Sequence, residues 1–252
     1  MPQNGFEDHF SKQAAEYAKF RPRYPASLFD YLASLPAKRE IAWDAGTGSG
    51  QVAAALAPRF RQVIATDPSA KQIEHAEKAA NIRYFVERVE QPSLAQSSVD
   101  LVTVAQALHW FDQSKFHAAV RHVLKPGGAL AVWCYEKCRI DSAIDAMVER
   151  YYSEIVGPYW PPERRHVENG YRDLHLPYPE QASPEFSLTQ QWSLNDLLGY
   201  LSTWSATQRY RDDHSENPLL LIEKELAGAW GNPLVARHVE WPISLKTCLK
   251  PA

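Results

Sequence analysis

Short apolar runs alternate with stretches of helical spacing from Ile41 onward, the pattern of a parallel sheet with crossover helices. Ile41 to Ala45 predicts a first strand, and Val52, Ala55 and Leu56 give Gln51 to Phe60 the spacing of a helix. Gln62 to Thr66 predicts a second strand, followed by Ser69 as the cap of a helix over Ala70 to Ala79. Ile82 to Val86 and the β-branched run Asp100 to Ala105 predict the third and fourth strands. Asp112 is the expected N-cap of a helix over Gln113 to Leu124, and Lys125-Pro126-Gly127-Gly128 breaks the chain before a fifth strand, Ala129 to Tyr135.

Two flanking regions complete the pattern. Phe10, Ala14, Tyr17 and Ala18 recur at helical spacing, so Ser11 to Phe20 reads as an amphipathic helix stopped by Arg21-Pro22. Beyond Tyr135, Ser142 to Ile155 fits a helix. Gly157 to Pro184 is rich in proline, aromatic and basic residues, suiting either a substrate cap or a rigid surface loop packed by its own side chains. Phe186, Leu188, Gln190 and Trp192 alternate as a sixth strand. Ser193 to Asp196 has the form of a capping box opening a helix over Leu197 to Arg209, and Asn217-Pro218 starts another that ends at Trp230-Gly231. Val239 to Thr247 alternates as the final strand. The expectation is one α/β domain over residues 1–252. It has an N-terminal region (1–40), a core (41–135), an insertion after the fifth strand (136–185) and a C-terminal part (186–252).

Composition narrows the class. Hydrophobic residues at 45% and charged residues at 23% are ordinary for a globular chain. The longest apolar runs, such as Gly128 to Tyr135, fall well short of the ~18 residues of a membrane helix. Met1 to Phe10 has neither the basic head nor the apolar stretch of a signal peptide, which predicts a cytoplasmic protein without a membrane partner. Cys134, Cys138 and Cys248 lie in no zinc-like cluster and read as reduced packing residues, so no metal is expected. A formal net charge of −3 and the lack of a basic run argue against nucleic acid as a partner.

In sheets of this kind ligands lie across the carboxyl ends of the strands. The first such loop, Asp44-Ala45-Gly46-Thr47-Gly48-Ser49-Gly50, has glycine at alternate positions, letting backbone approach a ligand closely. A dinucleotide fingerprint would need glycine at 51, where this chain has Gln51. Asp44 would repel a pyrophosphate but receive an ammonium group. Asp67 falls ~20 residues farther on, where a carboxylate accepts both hydroxyls of a ribose. Val89-Glu90, ahead of Pro92 and Leu94, suits contact with an adenine. Readings as a tight turn, a helix cap or a solvated loop stay open for these segments, as do a nicotinamide oxidoreductase and a non-catalytic binding protein.

Together, Asp44 to Gly50, Asp67, Ser98-Val99-Asp100-Leu101-Val102 and His122 to Gly128 resemble the class I methyltransferase pattern over roughly residues 5–135. Phe10-Ser11 through Tyr17, Arg21-Pro22-Arg23-Tyr24-Pro25 and Gln106-Ala107-Leu108-His109-Trp110-Phe111-Asp112 are similar, more narrowly, to the type 11 group that includes trans-aconitate methyltransferases. The resemblance implies a Rossmann-like, seven-stranded, mostly parallel sheet with helices on both faces, its last strand antiparallel, and an N-terminal helical lid. It implies S-adenosyl-L-methionine as the cofactor, held by Asp44, Ala45, Gly46, Gly48, Asp67, Pro68, Val89 and Glu90, with Gln106, Ala107 and Trp110 closing the site and Tyr17 and Arg21 reaching the methionine end or the substrate.

Methyl transfer from a sulfonium is an in-line displacement, so the protein mainly aligns the reactants in a dry site. A carboxylate acceptor needs cations to hold it; Arg21, Arg23, Arg209 or the arginines of the insertion are candidates. A phenol, quinone precursor or other natural product would gain from a base, for which His109 is best placed, although His109 could equally be bonded into the turn to order Trp110. The expected partner is therefore a small-molecule substrate.

Overall fold

The computed structural model describes residues 20–252. Five strands run parallel: β1 (Ile41–Ala45), β2 (Gln62–Asp67), β3 (Ile82–Val86), β4 (Val99–Ala105) and β5 (Leu124–Tyr135), in the spatial order β3-β2-β1-β4-β5. The long β8 (Arg237–Leu249) joins β5 antiparallel, with Trp133 opposite Leu245. Its far side carries β6 (Glu180–Gln181) near one end and β7 (Phe186–Trp192) near the other, a single edge position interrupted by four residues. The Rossmann-like sheet thus has eight strands, the addition to the expected seven being the two-residue β6 inside the insertion.

Adjacent residues of the central strands enter opposite layers, which is why these strands read as continuous apolar runs. Ala42, Val63 and Leu101 join one core with Leu28 and Leu32 of α1 (Ala26–Ser34) and Val52 of α2 (Gln51–Leu56). Trp43, Ile64 and Val102 join the other with Phe116 and Val120 of α4 (Gln113–Val123). α3 (Ala70–Glu74) lies between β2 and β3, capped by Ser69 as expected. Asp112 caps α4 by accepting from the Lys115 amide.

Several helices end earlier than their spacing predicts, each for a local reason. Pro58 stops α2 at Leu56 rather than Phe60. α3 stops at Glu74 rather than Ala79 because the Glu77 backbone is drawn to the glycine loop, its N–H donating to Ser49 and its carbonyl accepting from the Tyr84 hydroxyl. The segment expected as Leu197–Arg209 forms two helices after the Ser193–Asp196 capping box, α7 (Leu194–Ser202) and α8 (Ser205–His214). The break at Trp204 buries its indole against Tyr151, Tyr152, Trp160 and Tyr200, a gain in apolar contact that outweighs continuation of the helix. A short 3-10 turn, Pro218–Leu221, precedes α9 (Glu223–Trp230). Between β5 and β6 lie α5 (Ser142–Arg150), a wide turn over Tyr151–Ile155 and α6 (Arg164–Glu168).

The predicted helix Ser11–Phe20, and Tyr17 with it, lies outside the described residues except for Phe20, whose ring packs on Gly199 of α7. All three cysteines are buried and unbridged. Among the described residues no helix is long and apolar enough to cross a membrane, and no cluster of side chains has the makings of a metal site.

Candidate active site

The glycine loop closes the carboxyl end of β1. The amides of Gly46 and Thr47 both donate to the Thr66 carbonyl at 2.9 Å, folding the loop over the end of β2. Gly46, Gly48 and Gly50 all have left-handed backbone. At Gly46 the need is steric as well, since a Cβ there would stand 2.9 Å from the Ala107 Cβ. At Gly48 the space where a side chain would stand is open, with no atom within 4 Å. Backbone is thus bared on the side where a ligand can approach.

Two carboxylates flank this loop. One oxygen of Asp67 accepts from the Gly48 amide and the other from the Ser69 amide, each at 2.9 Å, so the side chain is fixed before any ligand arrives. A carboxylate oxygen can accept more than one hydrogen bond, a capacity that suits the paired hydroxyls of a ribose. Asp44 is buried, with Thr47 Oγ1 donating to one oxygen at 2.5 Å and Thr103 Oγ1 to the other at 2.9 Å. Burial pushes its pKa up to about 6, although both threonine bonds favour the charged form. Open backbone beside a pre-oriented acid, with a second acid costly to ionise unless a cation joins it, is a donor set that fits a cationic nucleoside.

The sign of the Asp44 effect follows from its raised pKa. Protonated Asp44 stabilises the folded chain at low pH, and this contribution is lost as pH rises from 3.8 through about 6. A ligand ammonium that pairs with Asp44 favours the ionised form, so affinity for S-adenosylmethionine should rise from about pH 5 to about pH 7. Calorimetric titration across that range checks this, and Asp44→Asn should flatten the pH dependence while weakening binding at neutral pH.

The remaining predicted positions divide by what their side chains already do. Ala45 and Val89 are buried in the core, leaving only their backbone for a ligand. Glu90 accepts from the Asp112 amide at 3.2 Å and pairs with Arg88, tying the loop after β3 to the start of α4. Pro68 links Asp67 to the Ser69 cap. Gln106, also left-handed, donates its amide to the Trp133 carbonyl, and Ala107 carries the contact to Gly46. Trp110 is exposed, with its ring 4.7 Å from that of His109.

His109 is bonded through Nδ1 to the Tyr171 hydroxyl at 2.9 Å. Burial, with Arg164 and His166 nearby, lowers the His109 pKa to about 3. At neutral pH the ring is therefore uncharged. Arg21 donates to the Tyr135 hydroxyl at 2.5 Å and lies over the Tyr200 ring; Arg23 pairs with Glu77 on the surface; Arg209 donates to the Tyr159 carbonyl. Sequence reasoning did not find Thr47 and Thr103 as partners of Asp44. A threonine in the apolar stretch Leu101–Ala105 of β4, opposite Asp44 in register, was the available signal for the second.

Known proteins resemble this chain in both sequence and fold. Residues 43–132 match the type 11 family model described as a methyltransferase domain. A Dictyostelium discoideum protein assigned as a methyltransferase is 36% identical over 229 residues, covering 89% of this chain and 87% of that one. A Saccharomyces cerevisiae protein assigned as an S-adenosylmethionine-dependent methyltransferase is 30% identical over 132 residues, 49% of this chain and 45% of the yeast protein. A solved Anaeromyxobacter dehalogenans structure, assigned as a type II methyltransferase, superposes with a TM-score of 0.86 at 40% identity, covering 92% of this chain and 99% of that one. The chain belongs to the class I S-adenosylmethionine-dependent methyltransferases, in the type 11 methyltransferase-domain family.

Proposed function

We propose that this methyltransferase acts on a small carboxylate in the cytoplasm, as one domain in which the insertion 136–185 caps the acceptor. The trans-aconitate type of enzyme, which the Arg21–Pro25 and Gln106–Asp112 segments resemble, has an acceptor of this chemistry. Asp67 would hold the ribose, Asp44 the ammonium group, and Gly46 and Gly48 would bring backbone against the ligand; Val89-Glu90, Gln106, Ala107 and Trp110 would close the site. S-adenosylmethionine supplies an activated methyl group when bound. The observation that carries the reading is the fixed Asp67 carboxylate beside the bared Gly48 backbone. An ionised carboxylate needs no base, so the protein's remaining tasks are to seat the anion, exclude water and hold the reacting oxygen in line. Incubation with radiolabelled methyl donor and matched sets of small carboxylic acids and phenols tests this. Labelled ester from an acid supports it; label appearing only in phenols refutes the acceptor class.

His109 fits the role of a fixed, uncharged ring that orders the turn and Trp110. Its base role predicts a loss of about 10²–10⁴ in kcat for His109→Gln and a limb in the pH profile. The ordering role predicts less than about tenfold loss in kcat at saturating cofactor, because glutamine can still hydrogen-bond the Tyr171 hydroxyl, with no new limb between about pH 5.5 and 8.

A further inference from the structure

A cavity of about 780 Å³ opens beyond the carboxyl end of β5, walled by Tyr135 to Arg139 on one side and by α5, the Tyr151–Ile155 turn and α6 on the other. It lies outside the glycine loop and its two acids. Its size suits a small organic molecule.

The charges around it are mostly spent on one another. Lys137 pairs with Glu149 and Arg139 with Glu136. Asp145 accepts from the Ile140 amide at 2.8 Å, and Glu168 accepts the Tyr152 hydroxyl proton at 2.5 Å. Of the two arginines left, Arg165 is exposed to solvent and Arg164 is half-buried. Its Nε donates to the Tyr152 hydroxyl at 3.0 Å, a neutral partner, and among the described residues it forms no ion pair. Its guanidinium carbon lies 4.7 Å from the Trp160 ring centroid and 5.6 Å from that of Tyr152. The two rings are themselves locked, 4.8 Å apart and 33° from parallel, by the Trp160 indole N–H donating to the Tyr152 carbonyl at 3.1 Å.

A half-buried guanidinium with its face on aromatic rings has already shed much of its hydration and keeps its edge for a planar anion. A cationic ligand would meet that charge where the ring faces are, so the aromatic pair does not make a cation cage here. The cavity also adjoins the methyl-transfer side. α6 packs on the Leu108–Trp110 turn, and the Arg164 charge is near enough to His109 to bear on its titration.

We infer that this cavity seats the acceptor, with Arg164 receiving its carboxylate and the Tyr152–Trp160 pair flanking a flat body. The inference rests on the methyl-transfer reading only in calling the occupant the acceptor; anion binding itself needs no cofactor. Benzoate and cinnamate, each with its neutral amide, are titrated calorimetrically into the full chain at low salt. At least one acid should bind about tenfold or more tightly than its amide. Arg164→Met should remove that preference, and Arg164→Lys should restore part of it, since an ammonium keeps the charge without the fork. S-adenosylhomocysteine should bind Arg164→Met as it binds the unmodified protein. Acids and amides binding alike, or no binding of either acid, overturns the assignment without any variant, as does an undiminished preference in folded Arg164→Met. Loss of S-adenosylhomocysteine binding by the unmodified protein would instead overturn the proposed function and leave the anion result standing.

Discussion

Asp67→Ala should weaken binding of S-adenosylhomocysteine by well over tenfold, with the fold retained. A hydrogen bond to a charged group contributes about 1.5–3 kcal/mol, and a ribose offers two to this carboxylate. Some of that is lost to competition with water at the cleft mouth, which leaves about 2–4 kcal/mol, or roughly thirty-fold to several hundred-fold in affinity. The variant also frees the Gly48 and Ser69 amides that Asp67 now binds, loosening the loop that must face the ligand. Asp67→Asn should fall between the two, because one amide oxygen can accept while the NH₂ faces a backbone donor. Isothermal titration on variants with unchanged circular dichroism checks the ranking. Equal affinity for Asp67→Ala and the unmodified protein would remove Asp67 from the site.

The largest loss of stability is expected at a residue far from any ligand. Asp100 is 3% exposed and accepts from the amides of Glu40 and Ile41, at 3.0 and 2.9 Å, and from Lys125 Nζ at 2.8 Å. It thereby fastens the start of β1 to β4 and to the first residues of β5. Alanine leaves two backbone donors without their acceptor, at about 1–3 kcal/mol each where water cannot reach them. The lysine is partly exposed and is rescued by solvent, so the pair itself adds little. The sum is about 3 kcal/mol, which for a chain of this size lowers the melting temperature by about 6–12 °C. Asp30→Ala, which breaks the surface pair with Arg59, should cost less than about 1 kcal/mol. Thermal denaturation of the two variants side by side separates the cases.

The central strands and their order of appearance were legible in the sequence because both faces of each strand are buried, which forces unbroken apolar runs. Asp67 was legible for a similar reason: its distance from the glycine loop is set by one helix and one strand. Where the reading stopped short, contacts between distant residues had taken over from local spacing. Nothing near Trp204 in sequence announces that its indole fills a space among Tyr151, Tyr152 and Trp160, so the broken helix read as continuous. The hydrogen-bond partner of His109 is Tyr171, 62 positions away, inside a proline-rich insertion with no periodicity to place it. Asp44 was found as an acid beside glycines, but its raised pKa depends on burial that one residue's neighbours in sequence do not reveal. β6 is two residues long and carries no pattern at all.

A crystal structure of the chain with S-adenosylhomocysteine tests the central claim most directly. The account predicts adenosyl density over Gly48, with both ribose hydroxyls within hydrogen-bonding distance of the Asp67 carboxylate and the amino group on the Asp44 side of the loop. Density elsewhere, or a ribose held by other residues with neither hydroxyl within reach of Asp67, would contradict it.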